Sequence, residues 1–155
     1  MKKNINTIYF EKQYFHILIL PLFILILTII LLDIFNIGSK PIPTFFSILI
    51  SSILFFTILL FYKMELIICK NYVKVKFGIG VIKKVIKNTD ILKIEEMSIP
   101  WYYGMGVRLI KNGCVYNTKP GNGLALITNK KKYVIVSNFH SKLYQTLIKQ
   151  RTQLR

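Results

Sequence analysis

"MELIICKNYVKVKFGIGVIKKVIK", residues 64–87, is where the character of the chain changes. Within it "VKVKF" (73–77) alternates strictly, with Val73, Val75 and Phe77 on one side and Lys74 and Lys76 on the other. A period of two marks a half-buried strand. Asn71-Tyr72 and "GIG" (78–80) are turn signals, so 64–70, 73–77 and 81–87 read as three strands of an antiparallel meander.

Upstream lie two runs without a charged residue, 14–32 and 45–62. Each spans roughly 28 Å as a helix at ~1.5 Å per residue, close to a hydrocarbon core of about 30 Å. The remaining chain is too small to wrap two helices this apolar inside a soluble core. The first run is too long for a signal-peptide core, lacks a small-residue cleavage site, and is soon followed by the second. Pro21 falls early in the first helix, where a missing N–H matters least. Ser47, Ser51, Ser52 and Thr57 dot the second, either as close-packing residues against the first helix or as plain polar scatter. "GSKPIPT" (38–44) reverses the chain between them.

Charge sets the expected orientation. Of 155 residues, 22 are Lys or Arg and 6 are Asp or Glu, a net charge of +16. Lys2, Lys3 and Lys12 precede the first run, Lys40 stands alone in the connection, and every other basic residue follows from Lys63 onward. The positive-inside rule then places both termini in the cytoplasm and the short connection outside. The expected organisation is a tail and transmembrane hairpin over 1–62 and a cytoplasmic domain over 63–155. Cys69 and Cys114 are isolated and expected to be reduced thiols.

Beyond the meander, 91–99 reads as a fourth strand ended by Pro100. Residues 106–112 and 114–118 flank Asn112-Gly113, a hairpin signal. Residues 124–137 read as two strands around Asn129-Lys130. Asn138 is a candidate cap for a terminal amphipathic helix carrying Phe139, Leu143, Leu147 and Ile148. The expected fold is membrane-anchored α+β: a two-helix hairpin, then an antiparallel barrel or sandwich of about seven strands closed by one C-terminal helix.

"WYYGMGVRLIKNGCVYN" (101–117), followed by "GLALIT", "YVIVSN" and "KLYQTLIK", resembles the bacterial membrane-associated PH-domain proteins. The positions that carry the likeness are Trp101, Tyr103, Gly104, Gly106, Arg108, Gly113, Tyr116, Gly123, Asn138 and Leu143. The resemblance implies two transmembrane helices before one PH-like domain, at the bacterial cytoplasmic membrane. It departs at "NKKK" (129–132), where the family has a short glycine-bearing turn, and at Phe139-His140. PH-like folds bind lipids, peptides or their own copies, so the resemblance does not choose an activity.

No catalytic constellation stands out. His16 and His140 are far apart in order, and Glu95 and Glu96 are neighbours on a strand that point to opposite faces. The three Gly-x-Gly units lack the rest of a dinucleotide loop, and no metal-ligand spacing occurs. The expectation is a protein without enzymatic activity, cofactor or metal. Nucleic acid fits the charge, but no recognition motif or aromatic platform accompanies it.

The candidate contact residues are therefore basic and aromatic: Lys74, Lys76, Lys83, Lys84, Lys87, Lys130, Lys131, Lys132, Trp101 and Arg108. Trp101, Tyr102 and Tyr103 either fold over the barrel, anchor at headgroups, or line a ligand pocket. Arg108 is expected to pair with Glu95 or Glu96, or to meet phosphate. Two functions follow as expectations. One is a membrane-anchored module that engages anionic lipid headgroups or a protein partner at the inner leaflet. The alternative is a structural protein that self-associates or scaffolds a complex through strand edges.

Overall fold

The computed structural model describes residues 7–37, 43–129 and 131–153. The chain runs β1 (Thr7–Tyr14), α1 (His16–Ile34), α2 (Thr44–Phe61), β2 (Lys63–Cys69), β3 (Tyr72–Phe77), β4 (Lys83–Lys87), β5 (Ile91–Ile99), β6 (Gly106–Ile110), β7 (Gly113–Asn117), β8 (Gly121–Thr128), β9 (Lys132–Val136) and α3 (His140–Gln153). Two sheets form, in the orders β1-β2-β3-β4 and β5-β8-β9-β7-β6.

The first sheet contains a strand from before the apolar runs. β1 lies antiparallel to β2, from Tyr14↔Lys63 to Thr7↔Cys69. What the sequence presents as a tail is thus part of the folded body, and the helical hairpin is an excursion between two paired strands. Both helices are long and apolar enough to cross a membrane. α1 begins two residues after the start of the uncharged run, because Tyr14 completes β1, and it extends past Asp33. On α2, Ser47 is buried, and the hydroxyls of Ser47 and Ser51 are shielded from solvent. Both lie one turn apart on one helix face, as small residues that admit a close neighbour do.

Where the helices leave the sheet, the junction is tight. Phe15 is 1 % exposed, stacks near Phe77 with ring centroids 6.0 Å apart, and donates its N–H to the Tyr62 carbonyl. Phe61 meets Phe77 from the other helix at 6.3 Å.

The main core lies between the sheets. Tyr9, Met64, Leu66, Ile68, Val73, Val75, Phe77 and Ile86 come from the first sheet, and Tyr116, Leu124, Leu126, Tyr133 and Ile135 from the second. Leu143 and Leu147, one helical turn apart on α3, close it. The other side of the second sheet is also dry. Ile99, Val115, Ala125, Val134 and Val136 form a separate cluster, met by Met97 from one edge strand and Ile110 from the opposite edge.

The expected antiparallel barrel or sandwich of about seven strands is corrected in its strand count, in the barrel alternative and in its purely antiparallel pairing. Nine strands form among the described residues, and neither sheet closes, because the edge strands β1 and β4, and β5 and β6, remain unjoined. β7 and β9 are parallel, from Gly113↔Lys132 to Tyr116↔Ile135. A parallel pair survives where both faces are covered, which is the case here.

Candidate functional site

The register of the first sheet sorts its outward side chains into rows. Tyr14 and Lys63 form the row nearest the helices. Next come Lys12, Glu65, Lys76 and Lys83, each directly across from the last. Phe10, Ile67, Lys74 and Val85 form the third row, and Tyr72 and Lys87 stand in the fourth. Strands lie ~4.8 Å apart and alternate residues ~6.6 Å, so the second row is roughly 14 Å wide and within about 10 Å of the helix ends.

Four lysines thus share the first two rows with one carboxylate. Lys63 Nζ lies 2.7 Å from Glu65 Oε1, and Lys76 Nζ 3.7 Å from Glu65 Oε2. Burial pushes the Glu65 carboxyl up, but the bond to Lys63 and the charges of Lys63, Lys76 and Lys12 outweigh it, leaving it below the ordinary glutamate range. The Lys63 ammonium is held above its ordinary range, chiefly by that same bond. The rows are also aromatic. Lys12 sits 5.5 Å over the Phe10 ring and Lys63 5.1 Å over Tyr62. Such cation–π contacts orient an ammonium without neutralising it.

The sequence candidates separate in space. Lys74, Lys76, Lys83 and Lys87 all lie on this outer face. Lys84 does not: it is directly across from the buried Val75, and its ammonium rests 5.0 Å over the Tyr133 ring of the second sheet. It belongs to the seam between the sheets. Lys131 and Lys132 are at the β8–β9 turn, and Lys132 reaches Glu95 at 4.0 Å. That turn is at the end of β8 remote from Gly121, about 23 Å along the strand at ~3.3 Å per residue. Lys130 lies outside the described residues.

Trp101, Tyr102 and Tyr103 form a 3-10 turn between β5 and β6 and are 79 %, 69 % and 37 % exposed. Of the three placements open to them, packing over a barrel is excluded for Trp101 and Tyr102 by that exposure. The turn is close to the helices: a Cβ on Gly106 would touch the Phe61 ring at 3.9 Å. Asn117 ties it down by donating to the Gly104 carbonyl at 2.8 Å. Arg108 does not pair with Glu95 or Glu96, since β5 and β6 are at opposite edges of the sheet. Its guanidinium lies against Gly104, where a Cβ would meet Arg108 Nη2 at 2.6 Å. Glu95 pairs instead with Lys93, at 2.8 Å.

Sequence reasoning passed over Lys12 and Lys63 as site residues. The available signal was the odd/even pattern of "TIYFEKQY" (7–14), which is inverted. Tyr9, Glu11 and Gln13 point inward and Phe10, Lys12 and Tyr14 outward. The buried polar set is fully engaged. Glu11 accepts hydrogen bonds from Tyr9 Oη (2.6 Å), Gln13 Nε2 (2.9 Å), Ser137 Oγ (2.6 Å) and the Asn138 N–H (2.7 Å). Gln13 also donates to the Val136 carbonyl at 2.9 Å and accepts from Thr118 at 2.5 Å. Ser137 takes the Phe139 N–H at 3.0 Å, so Ser137 and Glu11 hold the start of α3 in the place expected for an Asn138 cap.

Comparison with protein-family models, curated proteins and solved structures finds no match to this chain.

Proposed function

We propose that this protein is a membrane-anchored binding module, not an enzyme, whose first sheet engages anionic lipid headgroups beside its own helices. α1 and α2 cross the bilayer as a hairpin. Because β1 and β2 are paired, the hairpin leaves and re-enters the folded body on one side. Lysine bias makes that side the cytoplasmic one, and the PH-like resemblance makes it the inner leaflet of a bacterial membrane. A four-stranded sheet, a second sheet and a C-terminal helix support the PH-like outline; the five-stranded second sheet and its parallel pair depart from it.

The observation that carries the reading is the pair of rows Tyr14–Lys63 and Lys12–Glu65–Lys76–Lys83 next to the helix ends. Each basic residue near an anionic surface contributes about 1 kcal/mol, and screening sets in beyond roughly 8 Å. Four lysines against one acid leave three net positive charges in these two rows, on a body already tethered at high effective concentration. Lys87, further along β4, and Lys131, at the β8–β9 turn, contribute less.

The test keeps the full chain in vesicles and acylates lysines with a water-soluble reagent. Lys12, Lys63, Lys76 and Lys83 are expected to be protected in phosphatidylglycerol-containing vesicles relative to zwitterionic ones, and released by salt. Lys87 and Lys131 are expected to react alike in both. Equal modification of the first four in both vesicle types would remove the headgroup reading. A second reading, self-association, is favoured by Leu109, 85 % exposed on the edge strand β6. It predicts a discrete crosslinked dimer that is lost in Leu109→Lys.

A further inference from the structure

We infer that the turn between β3 and β4, residues 78–82, is an apolar foot that enters the acyl-chain border of the bilayer beside the end of α2. The inference rests on α1 and α2 crossing a membrane, but not on charge, and so goes beyond headgroup binding.

The turn is fixed to the last turn of α2. Ile79 donates its N–H to the Leu59 carbonyl at 3.2 Å, and Gly78 donates to Lys63 at 2.7 Å. The last four carbonyls of a helix lack intrahelical partners, and in lipid an unpaired one is costly. The turn supplies a donor to one of them. Gly78 makes this approach possible: its φ is +49°, and a Cβ there would sit 2.2 Å from the Leu59 oxygen and 2.3 Å from that of Leu60. Gly80, at φ +100°, completes the reversal, its N–H bonded to the Phe77 carbonyl at 2.7 Å.

The depth of the turn follows from the helix. α2 has 18 residues, about 27 Å at ~1.5 Å per residue against a hydrocarbon core of about 30 Å. Leu59 is two residues from its end, and Ile79 is bonded to it, so Ile79 is level with the hydrocarbon boundary. The side chains agree. Ile82 packs on the core, whereas Ile79 and Val81 point away from the protein, 51 % and 66 % exposed. The turn has no charged residue; Lys83 follows it directly, and Phe77 separates it from Lys76. An apolar tip and a backbone bonded to a membrane helix match the acyl border.

The chain has one tryptophan, so moving it gives a depth probe with no other change. Trp101→Phe combined with Val81→Trp, and separately with Ile79→Trp, is reconstituted at full length in zwitterionic vesicles. Trp101→Phe with Asn129→Trp, at the remote β8–β9 turn, is the aqueous control. Both foot positions are expected to be quenched several-fold more by lipids brominated in mid-chain than the control, and to resist iodide. Quenching of both by iodide as readily as the control, with none by brominated lipid, would overturn the foot. Because the vesicles are uncharged, that outcome leaves lysine protection in anionic vesicles standing. Loss of the protein from floated vesicles would overturn both.

Discussion

Glu11 is a buried carboxylate with four hydrogen-bond donors, and among the described residues no lysine or arginine pairs with it. A charge taken out of water this way is tolerated only when its lone pairs are filled. Removing it leaves donors from β1 and from the start of α3 unpaired at once. Glu11→Ala is expected to lower stability by about 3 kcal/mol or more, each orphaned buried donor costing about 1–3 kcal/mol. A fall in thermal midpoint in detergent micelles checks it, and an unchanged midpoint would mean the network is slack. Tyr9 gives a pH signature. Burial first, then its bond to Glu11, push its phenol up to about 12 from an ordinary 10.0. The folded protein keeps this proton where the unfolded chain has released it. The stabilisation is therefore full below pH 10 and is lost as pH rises through 12, amounting to about 3 kcal/mol. Tyr116 is raised in the same direction, by burial first and then Cys114. Thermal midpoints at pH 8 and pH 11.5 should differ less in Tyr9→Phe than in the natural chain. These same residues show what the sequence conceals. An inward Glu11 and Gln13 with an outward Phe10 and Tyr14 invert the pattern by which strands are read, so β1 passes for a tail. The inward-facing acids and amides make sense only beside Ser137 and Thr118, more than a hundred positions away.

Elements whose pattern is local were legible. "VKVKF" alternates because one side faces the core, and β3 forms where that alternation lies. The two apolar runs become α1 and α2 with ends shifted by one or two residues. What was not legible is pairing between distant elements: β1 with β2, and β7 parallel to β9. Those are set by which faces find cover, and neither strand carries that information itself. The candidate lysines suffered the same way. Lys84 looks like Lys83 in sequence, yet one seals the seam between sheets and the other faces outward, because adjacent strand residues point to opposite sides. At the junction the deciding residue is a glycine. Gly78→Ala places a methyl group against the Leu59 and Leu60 carbonyls at a positive φ. The main chain cannot yield there as a flexible side chain would. A loss of about 2–4 kcal/mol is expected, with faster amide exchange at Ile79 as the local readout. Unchanged exchange at Ile79 would show that the turn does not depend on this contact.

At the scale of the whole molecule, the hairpin is an insertion into a β-hairpin, not a stalk in front of a domain. Tyr14 is directly across from Lys63, and Phe15 donates to Tyr62 at 3.2 Å, so the two strands are already at turn distance when the helices depart. Two altered chains separate this view from a simple anchor-plus-domain arrangement. The first replaces residues 16–61 with Asn-Gly, a pair suited to tight reversal of antiparallel strands. It keeps β1, the Glu11 network and Phe15, and loses the contacts of Leu18, Ile19 and Phe61 with the core. It is expected to be water-soluble and folded, with a cooperative thermal transition a few kcal/mol weaker than that of the parent. The second is the fragment 63–155, which lacks β1. It bares the edge of β2 and strands Ser137 and the Asn138 N–H without Glu11, so it is expected to aggregate or to lack a cooperative transition. If the fragment folds as well as the turn-closed chain, β1 is dispensable and the two halves are independent. If the turn-closed chain folds and the fragment does not, the first also isolates the electrostatic part of membrane binding. It should then co-sediment with anionic vesicles at low salt, release as salt rises, and lose most of that binding in Lys76→Glu/Lys83→Glu, since both substitutions reverse charge within the second row, which holds three of the four lysines.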